Sequence, residues 1–167
     1  MGNAGVVART AEAVRTATSF EELGNRVAEE LGPLVPLDRM NIGLIELEDY
    51  IFIDAYVRGR NVPGRAVGHR RTLADTVVEA GMKAGGGIVI GEASPQRLLE
   101  CFPRLQSTLD TGIRSMLTIT LESEGKTVAA LVLASTRFSA YNHEDLEMVR
   151  GVGAAIVDRI EALREEI

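Results

Sequence analysis

The sequence predicts an α+β fold, with an antiparallel hairpin in the middle of a sheet and helices or loops packed on both sides. Residues 112–121 and 125–135 are both runs of β-formers, and Glu122-Ser123-Glu124-Gly125 between them reads as a hairpin turn. The second run is apolar at every position from 128 to 134. A strand with one wet face alternates, so this run implies cover on both faces. Capping signatures elsewhere in the chain supply the covering helices. Nothing in the hairpin is catalytic in type, which points to a regulatory or binding module.

The elements follow in order. Residues 4–17 form an amphipathic helix with Val7, Val14 and Ala17 near one stripe. Ser19-Phe20-Glu21-Glu22 is a capping box, and the helix it opens carries Leu23, Val27 and Leu31 before stopping at Gly32-Pro33. Residues 39–48 and 50–57 are two strands joined at Glu48-Asp49, and 59–68 is loop, marked by Gly59, Pro63 and Gly64. Thr72 caps the next helix, with Leu73, Val77, Ala80 and Ala84 on its stripe and Gly85-Gly86-Gly87 as its stop. Ile88-Val89-Ile90 is a short buried strand. Residues 94–111 are an excursion whose helical core, 96–102, breaks at Pro103. The hairpin follows, and Asn142-His143-Glu144-Asp145 caps a helix that runs to residue 167.

That last helix places Leu146, Val149, Gly153, Ile156, Ile160, Leu163 and Ile167 at alternating spacings of three and four. The stripe fits a heptad seam against a partner helix and equally a face turned to the core. Over three heptads the two periods drift apart by only about 60°. The seam carries the expectation of a homodimer.

Composition excludes several classes. The 167 residues are 46% hydrophobic and 25% charged, an ordinary globular balance for one domain. No apolar run approaches the ~18 residues of a membrane span. Met1-Gly2-Asn3 opens no secretory signal, so a cytoplasmic setting is expected. The net charge of −6, the absence of Trp and the presence of only four Phe and three Tyr argue against nucleic-acid binding. A single cysteine excludes an internal disulfide, and two separate histidines, His69 and His143, make no metal site. Gly85-Gly86-Gly87 precedes no Gly-Lys-Ser/Thr, so it is not a phosphate loop.

Cys101 is the one thiol. Arg97, a turn earlier, favours its thiolate and Glu100 opposes it, and packing as a small apolar residue is the plain alternative. Residues 55–74 hold Arg58, Arg60, Arg65, His69, Arg70 and Arg71 with no acidic residue. This segregation suits an anionic ligand or an acidic partner surface. The alternative is a solvated loop paired with Glu29-Glu30 or with acidic residues in 161–166.

Several stretches resemble a GAF domain. They are the capped helix 19–31, Gly112-Ile113-Arg114-Ser115 leading into 116–121, strand 128–135, Phe138-Ser139 and Glu144-Asp145-Leu146. The likeness spans about residues 19–163. It implies a GAF/PAS-like central antiparallel sheet, with terminal helices on one face and a ligand-pocket layer of helix and loop on the other. Residues 1–18 then form an N-terminal helical extension, and 19–167 a GAF domain ending in a signalling or coiled-coil helix. The function so implied is a non-enzymatic sensory domain of a signal-transduction protein, such as a two-component system. It would relay ligand state through the terminal helices of a homodimer to an output kinase, cyclase or transcription regulator. A pocketless dimerisation block is the alternative.

The resemblance places the ligand against Ile53, Ala55, His69, Arg71, Val77, Met82, Cys101, Phe102, Arg114, Ser115 and Leu117, with Arg114 or Arg71 as anchor for a small organic anion. Arg114 has a plainer alternative, capping the excursion's own carbonyls. The family's ligands include cyclic nucleotides, tetrapyrroles, haem and small acids. Bilin-binding members carry a cysteine in this excursion, commonly followed by His or Tyr. Here Phe102 follows Cys101 and no Asp-Ile-Pro-like stretch is present, so a tetrapyrrole or haem is a minor alternative. The cyclic-nucleotide signature is not legible. Free methionine sulfoxide reductase is an enzymatic relative whose disulfide relay needs several cysteines, and the expectation is accordingly that this chain is not an enzyme.

Overall fold

The structure is a computed structural model that describes residues 2–91 and 94–165. Its elements are α1 (Gly2–Val14), α2 (Phe20–Leu31), β1 (Arg39–Glu46), β2 (Ile51–Gly59), β3 (Arg70–Thr72), α3 (Val77–Lys83), β4 (Gly87–Ile90), α4 (Pro95–Cys101), α5 (Gln106–Asp110), β5 (Ser115–Ser123), β6 (Lys126–Ser135) and α6 (His143–Glu165), with a 3-10 turn at Pro103–Leu105. The strands form one antiparallel sheet in the order β3-β2-β1-β6-β5-β4. The fold is α+β, as the sequence predicts.

Strand β6 sits at the middle of the sheet and is covered on both faces. Ala129, Leu131 and Leu133 meet a layer built from α1, α2 and α6, whereas Ala130 and Val132 meet α3 on the other side. Glu124 and Gly125, both at positive φ (53° and 80°), close the β5–β6 hairpin as a two-residue turn between the paired Ser123 and Lys126. Glycine adopts that conformation without strain, which explains its place there.

Local chemistry sets the helix starts. The Ser19 hydroxyl accepts from the Glu22 N–H, and Asn142 and Asp145 cap one another reciprocally. The start of α3 differs from expectation. Thr72 ends the edge strand β3, paired with Ile51, and the N-cap is Thr76, whose hydroxyl accepts from the Glu79 N–H. Thr76-Val77-Val78-Glu79 is a Thr-x-x-Glu run, displaced by four residues from the expected Thr72-Leu73-Ala74-Asp75 cap.

The heptad stripe of α6 is used inside the chain. Leu146, Val149, Gly153, Ile156, Ile160 and Leu163 are all buried in the core shared with α1, α2 and the sheet. Gly153 lies so close to Leu121 of β5 that a side chain there would overlap it, and Gly151 faces Val7 of α1 in the same way. The six residues therefore offer no free seam to a second copy, which corrects the expected dimer contact. Ile167 lies outside the described residues. Helix α1 packs onto the same core, with Val6, Thr10 and Val14 buried.

Candidate functional site

The face of the sheet opposite α6 holds a cavity of about 50 Å³. Arg39 and Asn41 of β1, Phe52 of β2, Arg71 of β3 and Met116, Val132 and Ala134 of the central hairpin form its floor. Val77 and Val78 of α3, Phe102, Leu105 and Thr108 of the excursion, and Arg65 of the β2–β3 loop close it, with Asp75, Thr76 and Arg104 alongside. One end is thus guanidinium and the other apolar.

Strand parity decides which side chains reach it. Alternation on β1 sends Met40, Ile42 and Leu44 to the helical layer and Arg39, Asn41 and Gly43 to the cavity face. On β2, Phe52 pairs with Ile45 and Asp54 with Gly43, so both share the cavity face. The register then jumps from Gly43–Asp54 to Ile42–Tyr56, leaving Ala55 as a bulge and returning Tyr56 to the helical layer. Gly43 makes room for Phe52, whose ring occupies the place of any side chain there.

The charged end centres on Asp54, whose side chain is 0% exposed. Arg71 grips it as a fork, with Nη1 to Oδ2 at 2.9 Å and Nη2 to Oδ1 at 3.4 Å, and Asn41 Nδ2 donates to Oδ1 at 3.2 Å. The Arg71 guanidinium also lies 4.9 Å from the centre of the Phe52 ring, within cation–π range. Arg39 donates to the Arg60 and Arg65 carbonyls, Arg65 to the Arg104 carbonyl, and Arg104 to the Ala74 carbonyl. These arginines stitch the β2–β3 loop and the excursion over the cavity. Burial pushes the Asp54 carboxyl above its usual range, although Arg71, Arg39 and Arg65 pull it down. Burial also lowers the guanidinium of Arg71, to about 10, and those of Arg39 and Arg65. All three stay charged at neutral pH, so three cations share one buried carboxylate.

Of the residues expected to line a pocket, Arg71, Val77 and Phe102 do so. Ile53 and Ala55 face the helical layer, one position out of phase with Phe52 and Asp54, and Leu117 joins that layer too. Met82 packs with Phe52, Leu73 and Val78 beneath α3, outside the cavity. His69 is exposed, its ring accepting from the Ala66 N–H, and Cys101 is an exposed free thiol on α4. Arg114 donates to the Leu109 and Ile113 carbonyls, which is its plainer role, while the Ser115 hydroxyl donates to the Arg137 carbonyl. Arg65 belongs to the basic stretch already singled out for an anion, whereas Arg39, Asn41 and Asp54 were missed. Their signal was a polar residue at alternate positions of an otherwise buried strand, and one aspartate inside Ile51-Phe52-Ile53-Asp54-Ala55. Among the described residues the basic loop makes no ion pair with the acidic helices either: Arg71 takes Asp54, Arg70 meets Glu46, and Arg60 and Arg65 bond carbonyls.

The family model described as GAF domain matches residues 19–160. The chain belongs to the GAF domain family, the sensory and regulatory domains of signalling proteins. No curated protein matches it. Among solved structures it is similar to the GAF domain of a phosphoenolpyruvate-protein phosphotransferase from Coxiella burnetii, at 14% identity and TM-score 0.75 over 99% of this chain and 96% of that one. The GAF domain of a two-component sensor histidine kinase from Bacillus halodurans matches at 18% and 0.73, over 90% and 99%. Free methionine-R-sulfoxide reductase from Neisseria meningitidis, solved with its substrate, matches at 17% and 0.72, over 99% and 92%. The last overturns one expectation: an enzyme shares this fold along nearly the whole chain, so membership of the family does not make the chain a non-enzyme.

A tetrapyrrole or haem does not fit the cavity, whose free volume is several-fold below the ~300–1,000 Å³ of ordinary ligand pockets. Among the described residues, no group of His, Cys, Asp and Glu is arranged to hold a metal ion, and no helix is long and apolar enough to cross a membrane.

Proposed function

We propose that this GAF domain is a small-molecule sensor whose cavity takes a small organic anion with a compact apolar body. The observation that carries this reading is the imbalance of charge around the cavity, where Arg39, Arg65, Arg71 and Arg104 outnumber Asp54 and Asp75. Uncompensated charge in a dry wall is costly, and an entering carboxylate offsets it. The apolar end, with Val77, Leu105, Met116 and Val132, suits the anion's body.

The relay would run through the central strands. Their residues alternate between the cavity and the helical layer, and α6 is tied back by Arg164, which donates to the Ile45 and Val128 carbonyls. A ligand that favours one packing of α1 and α6 over another would bias an output kinase, cyclase or transcription regulator, with two chains joined as a homodimer by surfaces other than the buried α6 stripe.

A thermal-shift screen of small carboxylates, nucleotides and tetrapyrroles tests the reading. A binder at a hundred times its Kd contributes about 2.7 kcal/mol, roughly 5–10 °C in Tm for a domain of this size. Stabilisation by small carboxylates, lost in Arg71→Gln, is expected. No stabiliser in any class would favour the pocketless dimerisation block, an outcome to which the small volume and the lining Phe102 and Met116 already lend weight.

A further inference from the structure

Asp54 is the buried ion-pair partner of Arg71. Its carboxylate is sealed from solvent and directed at the guanidinium that lines the cavity. Its backbone is fixed as well, with its N–H donating to the His69 carbonyl at 3.1 Å and its C=O accepting from the Gly68 N–H at 2.8 Å. These bonds tie the Asp54 backbone to the β2–β3 loop, while Arg71 and Asn41 hold its carboxylate. Arg39 and Arg65 are committed to loop carbonyls, and Arg71 has Asp54 as its hydrogen-bond partner among the described residues. The cavity's most available cation is thus already held by an anion belonging to the chain.

We propose that Asp54 is the resident counter-anion of the site: an incoming carboxylate takes over the charge of Arg71, and Asp54 surrenders its own by taking up one proton from solution. This rests on the reading of the cavity as an anion site and makes binding there proton-coupled. Two carboxylates sharing one guanidinium in a desolvated wall repel each other, and neutralising the buried one relieves the repulsion. The groups facing Asp54 are Arg39 and Asn41 from β1, Arg71 from β3 and Arg65 from the loop, with Arg104 and Asp75 farther out on the cavity wall. Burial already outweighs these arginines and holds the carboxyl above its usual range, so a second anion pushes it in the direction it already leans. The protonated acid remains hydrogen-bonded, since Asn41 still donates to one oxygen. Asp54 is in this account the residue that sets how tightly the site holds an anion at a given pH.

The probe is propane-1-sulfonate, whose charge does not titrate and whose propyl group matches the apolar end. Isothermal titration calorimetry of the whole chain, in buffers of differing ionisation enthalpy, counts protons directly and needs no variant. The expectation is uptake of up to about one proton per sulfonate, with affinity rising up to about tenfold per pH unit as pH falls from about 7.5 to about 5.5. In Asp54→Asn both effects should vanish, and affinity near pH 7.5 should at least equal that of the wild type near pH 5.5. Sulfonate binding with no proton uptake and no pH slope overturns the proposal and leaves the anion site standing. A slope that persists unchanged in Asp54→Asn also overturns it, assigning the proton to another group. If neither sulfonate nor any carboxylate binds wild type or variant at any pH, the anion site and this proposal fall together.

Discussion

Replacing Arg71 with methionine removes the fork on Asp54 while keeping a chain long enough to cover Phe52. The cost is fixed by what stays behind: a fully buried carboxylate with Asn41 as donor and Arg39 and Arg65 as its remaining cations. Removing one partner of a buried pair typically costs about 3–5 kcal/mol, and the two remaining arginines place this case at the lower end, about 3 kcal/mol near neutral pH. Protonation gives the sign of the pH dependence. Burial holds the Asp54 carboxyl above its unfolded value, and losing Arg71, which lowers it, raises it further. Between the two values the folded state binds more protons, so stability rises as pH falls through the folded pKa toward the unfolded value near ~4. Arg71→Met should therefore lose less stability relative to wild type near about pH 5 than near about pH 8, and adding Asp54→Asn should recover most of the loss. Urea denaturation followed by circular dichroism, on wild type, both single variants and the double, measures this cycle. A cost equal at both pH values, or undiminished by Asp54→Asn, would refute the pairing as its source.

Three further outcomes follow from the same structure. Gly43→Ala places a methyl group where the Phe52 ring lies, so the ring must shift, at about 1–3 kcal/mol; an unchanged Tm would contradict the packing described for β1 and β2. Ile156→Glu buries an unpaired charge in the core between α6 and the sheet and should unfold the chain, by loss of far-ultraviolet dichroism. A folded Ile156→Glu monomer would instead restore the free-seam view of α6. Asp38 accepts from the Thr136 N–H and hydroxyl, which holds its carboxyl below its usual range. Its contribution is present above the unfolded pKa and lost as pH falls through the folded one, so Asp38→Asn should cost about 1 kcal/mol near pH 7 and progressively less in acid; a pH-independent cost would contradict the assignment.

The fold was legible in the sequence where local chemistry and long-range burial agree. The unbroken apolar run of β6 marked the two-sided sheet, and Ser19 and Asn142 are the N-caps expected, although Glu22 reaches back to Thr18 rather than to Ser19. Legibility failed where a one-residue phase mattered. Nothing local announces the bulge at Ala55 or the parity that turns Phe52 rather than Ile53 to the cavity. The stripe of α6 satisfies two periods equally well, and its burial in the core, with the close contacts of Gly151 and Gly153, shows which surface it meets. The basic loop was recognised as anomalous, but its arginines end on backbone carbonyls tens of residues away, from Arg60 to Thr111 and from Arg65 to Arg104. Such bonds have no sequence signature. Asp54 was overlooked because a lone aspartate in a strand reads as solvent-facing until its neighbours Asn41 and Arg71 are placed beside it.

The central claim is that a small organic anion enters the cavity and meets Arg71 and Arg65. Nuclear magnetic resonance of the arginine Nε–Hε groups, titrated with short-chain carboxylates, observes those side chains directly. The account predicts that the Arg71 and Arg65 signals shift together and saturate with one Kd, while those of exposed Arg58 and Arg70 stay in place. Shifts confined to the exposed arginines, or none at saturating carboxylate, would contradict it.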